Sequence, residues 1–124
     1  MSERKKVDAG QLHGEIRRRA AINAKVFRVL DKVGDDSTTL REVAHWAYFA
    51  NESAQSEFAE AVRQLGYSVT HTVPFSSSEE MPFGVEFSRV ESVRPAILNA
   101  VCAELALLAS NLGGEYDGWE TQVI

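Results

Sequence analysis

The strongest constraint on the fold is the order in which helical and strand-like apolar patterns follow one another. Apolar residues recur every three or four positions over residues 11–33, which predicts an amphipathic helix that ends at Gly34. Ile22, Val26, Val29 and Val33 widen its apolar stripe. The patterns that follow predict a strand, a helix, two strands, a helix and a last strand, at residues 41–50, 52–65, 67–73, 83–88, 93–112 and 115–124. Either Asn51 or Ser53 could cap the helix that ends near residue 65.

This β-α-β-β-α-β order is that of ferredoxin-like α+β folds, in which two helices cover one face of a four-stranded antiparallel sheet. A chain of 124 residues has room for one ordinary domain. We therefore expect a single compact unit in which residues 1–40 are a disordered lead-in and the amphipathic helix, and residues 41–124 are the ferredoxin-like domain. The helix over residues 93–112 should be capped by Ser92 and should face the core with Ile97, Val101, Leu105, Leu108 and Leu112.

The second face of the sheet needs its own explanation. Alternation in the first strand puts Ala44, Trp46 and Tyr48 on one face and the apolar residues between them on the other. Because both faces carry apolar side chains, a bare face is not expected. The first helix could cover it, a homodimer could bury it, or a ligand could bind there. Residues 74–82, with three serines between two prolines, read as the most mobile loop.

The charge is divided unevenly along the chain. Ten Lys and Arg and six Asp and Glu precede residue 42, whereas three and twelve follow from there on, and the net charge is −5. An acidic body is a poor surface for phosphates, so direct nucleic-acid binding is not expected and a protein partner with basic segments is. The run Arg17, Arg18 and Arg19 would suit RNA or an acidic protein segment, and a solvated helix face explains it equally well.

The sequence also indicates where in the cell the protein is expected. No apolar run reaches the roughly 20 residues that cross a bilayer, and the first ten residues are charged rather than signal-like. We expect a cytoplasmic protein with no membrane association.

Few residues have the spacing that catalysis or metal binding requires. His13, His45 and His71 form no ligand pair, and Cys102 lies in an apolar helix as an inert buried thiol, so we expect no metal and no catalytic residue. No glycine-rich phosphate loop follows a strand, so we expect no nucleotide cofactor. The expected role of His45 and His71 is structural hydrogen bonding.

The candidate binding residues lie on the first and fourth strands. These strands are neighbours in a ferredoxin-like sheet, which predicts that Trp46, Tyr48, Tyr116 and Trp119 approach one another. Such a cluster serves either core packing or partner recognition. Asp117 and Glu120 join them as binding candidates, although Asp117 before Gly118 is also typical of a turn or bulge.

Two motifs carry a family resemblance. Leu-Gly-Tyr-Ser-Val-Thr at residues 65–70 and Gly-Glu-Tyr-Asp-Gly-Trp-Glu-Thr at residues 114–121 each follow a helix, and in that setting residues 41–124 resemble the regulator of ribonuclease E activity B family. The resemblance implies a ferredoxin-like fold and no cofactor. It also implies a non-catalytic protein that binds the endoribonuclease of messenger RNA decay and lowers its activity.

Two other classes of function stay open at this point. The chain would also suit an immunity protein that neutralises a toxin by occupying its active site. A small enzyme or ligand-binding module would instead work in a cleft near His45, Tyr116 and Asp117.

Overall fold

The computed structural model describes residues 8–72 and 79–124. Its elements are α1 (Ala9–Lys32), β1 (Arg41–Phe49), α2 (Glu52–Gln64), β2 (Ser68–His71), β3 (Phe83–Glu91), α3 (Pro95–Asn111) and β4 (Glu115–Thr121). The strands form one antiparallel sheet in the order β2-β3-β1-β4, so the predicted ferredoxin-like α+β fold is confirmed. Residue 73 of the predicted second strand and residues 74–78 of the predicted mobile loop lie outside the described residues.

Side chains cap the first two helices. The Asp8 carboxylate accepts a hydrogen bond from the backbone N–H of Gln11, and the Gln11 side-chain oxygen accepts one from the backbone N–H of Asp8. This pair of bonds is a capping box at the start of α1. The Asn51 side chain accepts from Ala54 N at 2.8 Å and caps α2. The predicted cap at Ser92 is wrong. α3 begins at Pro95, two residues later than the predicted start at residue 93, and its N-cap is Arg94. Ser92 Oγ accepts from Arg94 N instead.

The core lies between the sheet and the helices α2 and α3. Every second residue of β1 from Val43 to Phe49 is buried, as alternation predicted. On α3 the predicted stripe is wrong at Ile97, which is 48% exposed, and the deeply buried positions are Leu98, Cys102, Leu105 and Ala109. The error has a physical reason: α3 is apolar on most sides, so periodicity does not single out its inner face.

α1 extends the helical layer and does not cover the second sheet face. It runs alongside α3 in the opposite direction, since Asn23 contacts Asn99 whereas Glu15 shares a cleft with Ser110. Asn23 Nδ2 donates to Asn99 Oδ1 at 2.8 Å, and Asn23 Oδ1 accepts from Trp119 Nε1 at 3.1 Å. The proposal that the first helix covers that sheet face is therefore wrong.

A β-bulge interrupts the pairing of β1 with β4. Trp46 pairs with Gly118 and Ala47 with Tyr116, which leaves Asp117 as the extra residue. Gly118 has φ +127°, a conformation that side chains rarely adopt, so glycine is required at this point. The predicted bulge is confirmed.

The last three residues are held by side-chain and loop contacts. β4 ends at Thr121, so the predicted extension of this strand to residue 124 is wrong. Ile124 N donates to Asp35 Oδ1 at 2.7 Å, and Ile124 O accepts from Asp36 N at 2.7 Å. These bonds tie the end of the chain to the turn between α1 and β1.

Candidate functional site

The four aromatic residues predicted to cluster lie on opposite faces of the sheet. Trp119 pairs with His45 and Tyr116 with Ala47, so both side chains lie on the face that the helices cover. Tyr116 is buried in the core and Trp119 packs against Phe27 of α1, with ring centroids 5.8 Å apart. The expectation of one aromatic cluster is wrong, because adjacent strands do not place their side chains on one face unless the register also agrees.

Trp46 and Tyr48 remain on the other face, which we call the open sheet face. It consists of side chains of β1, β3 and β4 that register places on the side away from the helices: Glu42, Ala44, Trp46, Tyr48, Glu86, Ser88, Val90, Glu115, Asp117 and Glu120. Trp46 and Tyr48 are both half-buried. The face therefore combines apolar surface with carboxylates.

Hydrogen bonds fix the centre of this face. Trp46 Nε1 donates to Glu86 Oε1 at 3.0 Å, and Thr70 Oγ1 donates to Glu86 Oε2 at 2.9 Å. The Glu86 carboxylate thus holds the indole ring in place from the neighbouring strand. A side chain ordered before binding loses less entropy when a partner docks on it.

The electrostatic environment of the open sheet face is negative. Partial burial raises the pKa of Tyr48, and the Asp117 and Glu86 carboxylates raise it further. The strand register places Asp117 at the bulge, between the residues that pair with Trp46 and Ala47. None of the side chains that define the face is a lysine or arginine.

A cleft borders the same face where β1 and β4 separate. Its volume is about 400 Å³, and its lining consists of Arg41, Glu42, Ala44, Glu120, Thr121, Gln122 and Ile124, with the Arg41 side chain itself buried. Glu42 and Glu120 are exposed. The cleft therefore extends the acidic surface beyond the aromatic pair.

A buried polar cluster lies on the opposite side of the sheet and centres on His45 and Glu91. His45 Nε2 donates to Glu91 Oε2 at 2.6 Å, since the carboxylate only accepts, and His45 Nδ1 lies 2.8 Å from the Tyr116 hydroxyl. Glu91 Oε1 accepts from the Tyr67 hydroxyl at 2.7 Å and from Arg89 Nε at 2.9 Å. The expected structural role of His45 is thus accounted for by its hydrogen bonds.

The ionisation of this cluster follows from burial and pairing. Burial raises the pKa of Glu91, but the hydrogen bonds from His45, Tyr67 and Arg89 outweigh it, and the net pKa is below the usual value. Burial and the Glu91 carboxylate raise the pKa of Tyr67. Burial likewise raises the pKa values of Tyr116 and of Cys102, whose Sγ lies 3.4 Å from the Tyr116 hydroxyl. Tyr67, Tyr116 and Cys102 therefore stay protonated near neutral pH, whereas Glu91 is ionised.

The cluster does not form a substrate cleft. His45 is fully buried and Tyr116 nearly so, whereas Asp117 is exposed near Tyr48 on the open sheet face. The predicted cleft is therefore wrong at His45, whereas Tyr116 and Asp117 do line a common cleft, together with Arg18 and Arg19. His71 lies exposed on β2, with β3 between it and β1. In residues 8–72 and 79–124, no group of three or more His, Cys, Asp or Glu side chains is placed to hold a metal ion.

Sequence reasoning missed Glu86, Glu91, Tyr67 and Arg89. A signal for Glu86 was available, because it alternates with Phe83, Val85 and Phe87 on the polar side of a strand expected to pair with β1. For Glu91 the signal was weak, because the exposed Val90 breaks the alternation near the end of β3.

Comparison with known proteins gives the family. The model of the family described as "Regulator of ribonuclease activity B" matches residues 20–121. The chain belongs to this family. Members of the regulator of ribonuclease activity B family are regulators by description, and the resemblance noted from the two motifs is confirmed. A comparison with curated proteins finds no match. Among the described residues, no helix is both long and apolar enough to cross a bilayer.

Proposed function

We propose that this protein regulates a ribonuclease E-type endoribonuclease through direct protein–protein binding, and that it catalyses no reaction itself. The observation that carries the proposal is the open sheet face, where Trp46 and Tyr48 are bordered by Glu86, Asp117 and Glu120. Family membership supports the regulatory role. We place this action in the cytoplasm, where messenger RNA is degraded.

The chemistry of the face favours a basic polypeptide as the ligand. Arginine and lysine side chains stack on tryptophan and tyrosine rings, and the surrounding carboxylates pair with the same cations. RNA would bring its phosphates against five carboxylates with no lysine or arginine among the residues that define the face, which opposes binding. The nuclease segment bound here is therefore expected to be rich in arginine and lysine.

Regulation would follow from occupancy. A basic segment held on the open sheet face is no longer free to bind RNA or other proteins, so the nuclease loses an accessory contact. Of the six residues predicted to bind the partner, we assign direct contact to Trp46, Tyr48, Asp117 and Glu120. Tyr116 and Trp119 hold β4 against the helices from the other side of the sheet.

Substitutions on the open sheet face test the proposal. Glu120→Lys reverses an exposed charge there, and Glu104→Lys makes the same change on the exposed side of α3 as a matched control. Cleavage of a labelled RNA by the nuclease is measured with each variant, and the affinity for the nuclease is measured by calorimetry over a salt series. We expect Glu120→Lys and Trp46→Ser to weaken binding and inhibition at least about tenfold, and Glu104→Lys to behave like the unaltered protein.

Two results would overturn the proposal. Binding that does not depend on salt would remove charge pairing as its basis. Equal losses in Glu120→Lys and Glu104→Lys would show that overall charge, and not the open sheet face, is what the nuclease recognises.

A further inference from the structure

α1 carries a second apolar surface, separate from the one that packs against α3. Its inner side is held by Asn23 and Phe27, as described above. On its outer side Ile22, Val26, Val29 and Val33 are 50%, 42%, 54% and 58% exposed. We call these four side chains the outer stripe. The sequence interpretation added them to the apolar face of the helix, and the structure leaves about half of their surface uncovered.

The spacing of the outer stripe is that of a helix–helix seam. The residues are separated by four, three and four positions, which is the alternating spacing of the apolar positions in a coiled coil. They extend over about 16 Å of helix, or three turns. All four are β-branched, so they lose little side-chain freedom when they pack. A second helix lying along α1 is the ligand that this geometry fits best.

Basic residues border the outer stripe at the same repeat. Arg18, Lys25 and Lys32 follow one another every seven residues along one side of it, and all three are exposed. In paired helices, residues in this flanking position contact the partner's flanking residues. The partner helix is therefore expected to present carboxylates there.

The same charges argue against a second copy of this chain. An antiparallel pair of α1 helices would place one row of basic residues against the other. A parallel pair would place that row against Asn23 and Leu30, and Asn23 is already bonded to Asn99. Neither arrangement supplies a carboxylate.

We propose that the outer stripe binds an amphipathic helix of another protein, with apolar residues on one face and Asp or Glu every seven residues beside them. α1 belongs to the helical layer, on the other side of the sheet from the open sheet face. The two surfaces adjoin at one end of the outer stripe, where Ile22 lines a cleft that Asp117 also lines. The ligand proposed here, an acidic helix, differs from the basic segment proposed for the open sheet face.

A designed peptide pair tests the proposal. One labelled helical peptide of three heptads carries leucine at its two apolar positions and glutamate at the flanking positions, and the second carries lysine in place of glutamate. Fluorescence anisotropy with the full chain should show that the glutamate peptide binds at least about tenfold more tightly. Lys25→Glu combined with Lys32→Glu should invert this preference. Arg17→Glu combined with Arg28→Glu, which alters charges on the far side of α1, should leave it unchanged.

The fold of each variant is checked by circular dichroism. The proposal is overturned if the full chain does not bind the glutamate peptide, or if both double variants lose binding equally. Dimerisation that Val26→Ser with Val29→Ser abolishes in sedimentation would identify a second copy as the occupant instead. Tighter binding to RNA or to anionic vesicles through the same lysines would also overturn it.

Discussion

At the scale of single residues, Glu91 is the carboxylate on which the covered side of the sheet depends. A buried carboxylate is costly unless its oxygens are hydrogen-bonded and its charge is compensated. Glu91 receives hydrogen bonds from His45, Tyr67 and Arg89, and the Arg89 guanidinium also stacks on the Tyr67 ring at 4.1 Å. Three strand and loop segments are thus joined through one side chain.

We predict that this arrangement makes the fold sensitive to acid. The pKa of Glu91 is lower in the folded chain than its usual value of 4.5, so its stabilising contribution is present above that pH. It is lost as the pH falls through the folded-state pKa. Glu91→Gln should lower the free energy of unfolding by about 3 kcal/mol near neutral pH. Urea unfolding measured from pH 7 to pH 3 should show the two curves converging toward the acid end.

Glu104→Gln is the control for this measurement, because Glu104 is exposed on α3. Its curve should run parallel to that of the unaltered protein. Curves for Glu91→Gln and the unaltered protein that stay a constant distance apart would contradict the prediction.

Residue patterns predicted the sheet face on which a side chain lies better than they predicted the distant residues that it contacts. Alternation in β1 separated Trp46 and Tyr48 from Val43 and Phe49 correctly, and Asp117 with Gly118 indicated the bulge. Gly114 is constrained by a tertiary contact, because a Cβ there would lie 2.3 Å from the Phe49 ring. That contact joins segments 65 residues apart in sequence, and no local pattern predicts it.

At the scale of elements, Arg41 connects the first residue of β1 to two other segments. Its side chain is 3% exposed, and its guanidinium donates to Asp35 Oδ1 at 2.6 Å and to the Gln122 carbonyl at 3.2 Å. It also donates to the Thr39 and Asp36 carbonyls. The Arg41 hydrogen bond, followed by that from the Ile124 amide, holds the pKa of Asp35 below its usual range.

We predict that Arg41→Lys destabilises the protein by about 1–3 kcal/mol, because one ammonium group cannot reach all of these acceptors. Arg63→Lys is the matched control, since Arg63 forms only an exposed ion pair with Glu60. That change should cost less than about 1 kcal/mol. Chemical denaturation of both variants decides the question, and equal losses would contradict the assigned role of Arg41.

Element types were predictable from the sequence, and several boundaries were not. The two helix starts with Asp8 and Asn51 carry local capping signals. β3 continues to Glu91 because its ladder with β1 runs as far as Arg41, which is a tertiary effect. α3 was oriented wrongly at Ile97 because an apolar helix contains no polar side from which its inner face can be read.

At the scale of the whole molecule, α1 is part of the packing that supports the sheet. Asn23 is a buried polar residue of α1, and its hydrogen bonds to Asn99 and Trp119 account for its burial. The helix was predictable from its periodicity, whereas its position beside α3 depends on these two distant partners. We expect residues 8–40 and 41–124 to unfold together.

We therefore predict that the fragment of residues 41–124 is much less stable than the full chain. Removing α1 would leave the Trp119 indole without its contacts to Asn23 and Phe27, and Asn99 without its hydrogen bond from Asn23. In the full chain, Phe27→Ala should cost about 3 kcal/mol, because it removes the ring that packs on Trp119. Thermal unfolding followed by circular dichroism measures both, and a fragment as stable as the full chain would show that α1 is an appendage.

The fluorescence of the two tryptophans reports on two different parts of the molecule. Trp46 is half-buried on the open sheet face beside Glu86, whereas Trp119 lies between β4 and α1 beside Phe27. Replacing either one by phenylalanine leaves a single emitter. A protein with only Trp46 should change its fluorescence when a ligand docks on the sheet. A protein with only Trp119 should respond when α1 separates from the body, so binding and helix detachment can be timed independently in parallel mixing experiments on the two variants.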